Sequence, residues 1–240
     1  MSTILNRNII ETSNFSNQLL GPFSFIVHKL SGEGDFIAEI YEQGRLISRF
    51  SIICSKDFRE TQEHVDLSLA NNQLIKNTLR LNNENGYVLF YNSKEYKDHQ
   101  IVIKKGNTIE FDSTNPSSKD LFGLNLLKPG QYKLSSASLK TDLILDVKYP
   151  TLDEAQIGRA TGSIQLDATK VLGNKSQTIL PNQGLVFNFA DNFKDFKIEF
   201  VKENQPKVNK TIIDELKAKA NLTSKKNKKD RVIKKYSLKK

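Results

Sequence analysis

The run Phe36-Ile37-Ala38-Glu39-Ile40-Tyr41-Glu42-Gln43-Gly44-Arg45-Leu46-Ile47-Ser48-Arg49-Phe50-Ser51-Ile52 decides how the rest of the chain is read. Phe36, Ala38 and Ile40 recur at every second residue, as do Leu46, Ser48, Phe50 and Ile52 after the turn residues Glu42-Gln43-Gly44. Side chains of an extended strand alternate between two faces, so this period of two marks half-buried strands. Upstream, Phe23, Phe25 and Val27 alternate with Ser24, Ile26 and His28, and Ser31-Gly32-Glu33-Gly34 supplies a turn. The three runs predict a β-meander.

Downstream, Val65, Leu67 and Leu69 predict a strand, with the polar stretch Ser55 to Glu63 able to hold a short helix instead. Leu79 and Leu81 lead through Asn82 to Gly86 into Tyr87-Val88-Leu89-Phe90-Tyr91, and Asn-Gly tolerates the positive φ of a tight reversal, which predicts a hairpin. Ile101 to Ile103 and Ile109 to Phe111 flank Lys104-Lys105-Gly106-Asn107 as a second hairpin. Pro129-Gly130 fits a type II turn, and Tyr132 and Leu134 pair naturally with Leu143, Leu145 and Val147. Ile164 and Leu166, Leu185 to Phe189, and Phe196, Ile198 and Phe200 bring the count to about a dozen strands.

Short strands with no helical period between them predict a mainly β fold, an antiparallel sandwich or jelly-roll-like body, as one large or two small sandwiches. Three segments are expected: an N-terminal arm over residues 1–21, the body over 22–202, and a helix plus basic tail over 203–240. The polar, Pro-containing stretch Ser113 to Asp120 is the candidate internal boundary. Thr211-Ile212-Ile213-Asp214 matches a capping box, so a short helix is expected over 212–220.

Charge is segregated. Of 36 Lys and Arg and 27 acids, thirteen and four respectively fall in Glu203 to Lys240, which leaves 23 of each sign in the body. The whole formal excess of +9 therefore sits in the tail, most densely at Lys225, Lys226, Lys228, Lys229, Arg231, Lys234, Lys235, Lys239 and Lys240. Such a run releases condensed counterions from a polyanion without reading its sequence, and Tyr236 among the lysines can stack on a base. A solubilising tail and an arm docked on a neighbour are the competing readings.

Patterns for chemistry are sparse. His28, His64, His99 and Cys54 show no spacing for a transition metal, and a buried thiol at the end of an apolar run acts as a small hydrophobe. Ile101 to Phe111 resembles the Lys-Gly hairpin of cupredoxins, but type 1 copper needs two His, a Cys and usually an axial Met, and the only Met is Met1. Gly158 to Ser163 lacks the Gly-Lys-Ser/Thr ending of a phosphate loop, and Asp191 to Asp195 lacks the order of a calcium loop. Pairs such as Asp142 with Asp146 and Asp153 with Glu154 suit turns and solvated edges. No catalytic residue, metal or cofactor is assigned. Neither a secretory signal nor a run of ~20 apolar residues is present, which predicts a cytoplasmic protein, or a virion component, without membrane contact.

The expected function is a non-enzymatic subunit of a large assembly, a homo- or hetero-oligomer such as a virion or phage particle, whose tail contacts nucleic acid or an acidic partner. The alternative is a carbohydrate- or peptide-recognition module whose site lies on a sheet face or in Asn92 to His99, with Tyr87, Tyr91 and Tyr96 as exposed platforms. A hydrolase whose carboxylates or histidines meet only in the fold is the third class.

Overall fold

The computed structural model describes residues 11–72, 76–136, 142–150, 162–166, 176–189 and 196–205. The helix expected over 212–220, the basic tail, and the loops Asp153-Glu154 and Asp191 to Asp195 lie outside them. In chain order the strands are β1 (Asn14–Ser16), β2 (Leu19–Leu20), β3 (Ser24–Lys29), β4 (Gly34–Glu42), β5 (Arg45–Cys54) and β6 (Gln62–Asp66). After a 3-10 helix, Leu67–Asn72, come β7 (Thr78–Leu81), β8 (Tyr87–Tyr91), β9 (Lys97–Lys105), β10 (Thr108–Asp112) and β11 (Asp120–Asn125). The remainder are β12 (Gly130–Ser135), β13 (Leu143–Val147), β14 (Ile164–Leu166), β15 (Ser176–Ile179), β16 (Gly184–Asn188) and β17 (Lys197–Glu203). The protein is mainly β, and all these elements belong to one unit, Met1–Asn204.

Three sheets hold them. The β4 sheet runs β10-β9-β4-β5-β7, with β2 also on β9; the β3 sheet runs β14-β16-β11-β3-β8-β6; the β12 sheet runs β1-β17-β12-β13-β15. The two hairpins flanking short glycine turns form as the sequence predicts. Gln43 and Gly44 both take positive φ, 51° and 77°, the type I′ geometry whose twist matches the flanking strands. Gly106, at φ 58°, turns β9 into β10, and a bulge at Glu110 then shifts the register.

The meander does not form. β3 pairs with β8 and β11, in a different sheet from β4 and β5. Its inward face is also the opposite of the apolar one: Ser24, Ile26 and His28 are buried, while Phe25 and Val27 are half-buried on the outer side. The buried polar groups are satisfied, Ser24 Oγ accepting from Gly21 N at 2.8 Å and His28 pairing with Asp120. Phe25 stays outside because its ring reaches across Gly123 on β11, where a Cβ would lie 2.1 Å from Cζ.

Asn82 to Gly86 is likewise not a hairpin turn. β7 joins the β4 sheet and β8 the β3 sheet, so the turn carries the chain between sheets. Asn82 Oδ1 accepts from the backbones of Glu84 and Asn85, and its carbonyl accepts from Gly86 N at 2.9 Å, leaving no room for a Cβ at Gly86. The expected strand over residues 65–69 ends at Asp66 and continues as the 3-10 helix. Gly130 has no positive φ and opens β12; it is needed because Phe200 and the Lys202 carbonyl press on it.

Four pairings are parallel, β5 with β7, β6 with β8, β13 with β15 and β14 with β16, against the purely antiparallel expectation. Each crossover passes through a strand of a second sheet. A chain that crosses to another sheet and returns arrives in its original direction. The β4 sheet packs on the β3 sheet through Phe111 against Phe90 and His28, and Phe196, beside β17, packs on Phe122 and Phe187 of the β3 sheet. Strands from both sides of Ser113 to Asp120 therefore share one sheet and one core. In the segment read as an arm, β1 pairs with β17 and β2 with β9, with Phe15 and Leu20 buried in that core.

Candidate functional site

The tail residues singled out by the sequence, Lys225 to Lys240, lie outside the described residues. The body's candidate groups are its titratable side chains and the outward faces of the β4 and β3 sheets. Ninety-two residues apart, His28 and Asp120 come together with Nδ1 2.6 Å from Oδ1, a pairing with no sequence signature. Both are buried, at 3% and 1% exposure, His28 stacks on Phe111 at 4.6 Å, and Asp120 Oδ2 accepts from Ser117 N. A histidine and acid so enclosed tie β3 to β11 and offer no approach to a substrate. His99 is buried against the Lys97 carbonyl, and burial lowers its pKa; His64 is exposed and bonded to Gln62. Burial pushes the Cys54 thiol up to about 11, which suits an inert core residue. Among the described residues no three His, Cys, Asp or Glu are grouped as metal ligands, and no helix is long and apolar enough to cross a membrane.

The outward face of the β4 sheet is built in rows by its register. Ile109, Lys104, Ile37 and Ser51 lie side by side across β10, β9, β4 and β5, and the next row is Asp112, Val102, Glu39 and Arg49. Tyr41 and Leu46 follow in a third row with Gln100. Ile37, Leu46 and Ile109 are 45%, 40% and 57% exposed. Glu39, at 4%, anchors the face. Lys104 Nζ donates to its Oε2 at 2.7 Å, Tyr41 OH to the same oxygen at 2.7 Å, and Arg49 Nη2 to Oε1 at 2.6 Å. Lys104 foremost, then Tyr41 and Arg49, hold the Glu39 carboxyl down at about 2, from an ordinary value of 4.5. Val102, 6% exposed, is covered on this side although it faces away from the core.

The outward face of the β3 sheet carries Tyr87, Leu89 and Tyr91 in line on β8, beside Phe25 and Val27 on β3. All five are half-buried. Its margin is polar, with Tyr87 OH donating to Gln62 and Asp66 accepting from Ser93 and Ser68.

No family model, curated protein or solved structure matches the chain. Its functional reading therefore rests on these faces and on the charge distribution.

Proposed function

We propose that this protein is a non-enzymatic assembly module, a sandwich-like β body that packs against other subunits through the outward face of the β4 sheet. Its tail would then reach nucleic acid or an acidic partner. The supporting observation is that three of the five large apolar side chains exposed among the described residues, Ile37, Leu46 and Ile109, share this one face. Scattered exposed apolar residues need no explanation, but a cluster set around a fixed charge network has the anatomy of an interface. The tail contributes affinity of a different kind, salt-sensitive and blind to sequence.

Native mass measurement of the full chain, with and without single-stranded DNA at low and high salt, tests this reading. The expected result is a species larger than one chain that also retains DNA at low salt and sheds it at high salt. Deleting residues 221–240 should abolish DNA retention and leave the body folded. A protein that stays a single chain under all conditions sinks the assembly reading, and DNA retention unchanged by the deletion sinks the role of the tail.

A second reading is favoured by Tyr87, Leu89 and Tyr91: recognition of a saccharide or an extended peptide on the β3 sheet. Aromatic side chains that are only partly buried, beside hydrogen-bonding groups, suit ligands with one apolar and one polar side. Titration with panels of soluble oligosaccharides and peptides checks it, and Tyr91→Ala should abolish any binding found. Absence of binding in both panels removes this reading.

A further inference from the structure

We infer that the outward face of β10, β9, β4 and β5 is a two-fold interface between two copies of this chain, in which Asp112 of each copy meets Arg49 of the other. The inference rests on the assembly reading and deepens it by naming the occupant. Neighbouring strands are ~4.8 Å apart, so these four strands span about 14 Å between the axes of β10 and β5. Asp112 stands on one outer strand and Arg49 on the other, in the same row, with Val102 and Glu39 between them. A two-fold axis parallel to the strands, passing between β9 and β4, lays β10 of one copy over β5 of its mate without displacing the rows. Opposite charges then meet twice, once on each side of the axis. The face is complementary to itself, which is what an isologous contact demands.

The other positions fit the same operation. Ile109, the most exposed apolar side chain on the face, meets the small Ser51, and Ile37 meets the aliphatic stem of Lys104. Val102 and Glu39, at the middle of the row, are already covered within each copy, and Glu39 presents no naked charge because Lys104, Arg49 and Tyr41 occupy its oxygens. Arg49 has capacity for a second acid: Nε and Nη2 serve Glu39, yet its side chain remains 60% exposed. Two sheets meeting face to face keep their strands within about 30° of each other, which allows this alignment near the axis.

The test is sedimentation velocity on the full chain up to about 100 µM, with circular dichroism to establish that each variant is folded. Wild type should dimerise, and Ile37→Lys with Ile109→Lys should yield a folded monomer. Asp112→Arg alone and Arg49→Asp alone each place like charges together twice, and each should weaken the dimer at least about tenfold. Mixing these two variants in equal amounts should restore a dimer, now of one chain of each kind, because both contacts become attractive again. Failure of the mixture to dimerise, with both variants folded, overturns the interface. An oligomer indifferent to the two lysine substitutions overturns it together with the β4-sheet face as the contact surface, while leaving assembly through another surface standing. A wild-type monomer at every concentration overturns both.

Discussion

Glu39 keeps its charge at 4% exposure because donors on Arg49, Lys104 and Tyr41 divide its two oxygens between them. A carboxyl whose pKa is depressed by folding contributes stability that is complete above its unfolded value near 4.5 and is lost as pH falls towards 2. Glu39→Gln should therefore lower stability by about 1–3 kcal/mol near pH 7 and flatten the acid limb between about pH 5 and 2. Urea unfolding across that range measures both, and an acid limb as steep as in wild type would refute the assignment. Two glycines make a sharper comparison. A Cβ at Gly123 meets only the far end of the Phe25 ring, which can swing outward, whereas at Gly130 it meets Phe200 and, at 2.6 Å, the fixed carbonyl of Lys202. Gly130→Ala should cost about 1–3 kcal/mol and Gly123→Ala distinctly less, with chemical denaturation as the readout. At this scale the sequence was a partial guide. Alternation located the strand at Phe23 to His28, but it favoured the wrong face, because Ser24 and His28 are buried through partners at Gly21 and Asp120 that no local pattern reveals.

At the level of elements, legibility followed the range of the interaction. The β4–β5 and β9–β10 hairpins are set by two or three turn residues and were readable from Gln43-Gly44 and Gly106-Asn107. The choice of sheet for β3, β7 and β8 depends on which face buries against which distant strand, and turn chemistry is silent on it. Asn82 to Gly86 has the composition of a hairpin turn and serves an inter-sheet crossing. The strands β1, β2 and β15 show no alternation, since Asn14–Ser16 and Ser176–Ile179 each hold one apolar residue and Leu19–Leu20 holds two in succession, unlike the equally short β14 with Ile164 and Leu166. The strands at the sheet ends, β1, β15, β10, β7, β14 and β6, are all three to five residues long, a length that limits uncontrolled edge pairing. That leaves the faces as the broad contact surfaces. The β4–β5 turn gives this scale its prediction. Nothing lies within 4 Å of a Cβ built at Gly44, so its requirement for glycine comes from φ 77° alone. Gly44→Ala should cost about 1–2 kcal/mol through backbone strain, while Gln43→Asn should be neutral or stabilising, since asparagine accepts the left-handed region more readily. Thermal melts of the two variants separate these effects, and an unaffected Gly44→Ala would mean that the turn is not type I′ in solution.

For the whole molecule, the decisive feature is that the β3 sheet belongs to both ends of the chain. β6, β3 and β8 come from before Ser113 and β11, β14 and β16 from after it, and the ladder that pairs Ser24 to His28 on β3 with Leu124 to Asp120 on β11 is the seam between them. A split at Ser113 to Asp120 would cut this ladder and the buried His28–Asp120 pair, so neither part could open without exposing the core of the other. Unfolding is expected to be a single cooperative transition. Amide hydrogen exchange tests this locally: the slowest amides of β4 and β5 and those of β12 and β13 should reach the same opening free energy, equal to the global value from denaturant. Asp120→Ala, which leaves the buried His28 ring and the Ser117 N–H without their acceptor, should reduce that shared value by about 1–3 kcal/mol in both places at once. If β12 and β13 instead opened at markedly lower cost than β4 and β5, the seam would be too weak to couple them. The chain would then behave as two domains joined at the polar connector.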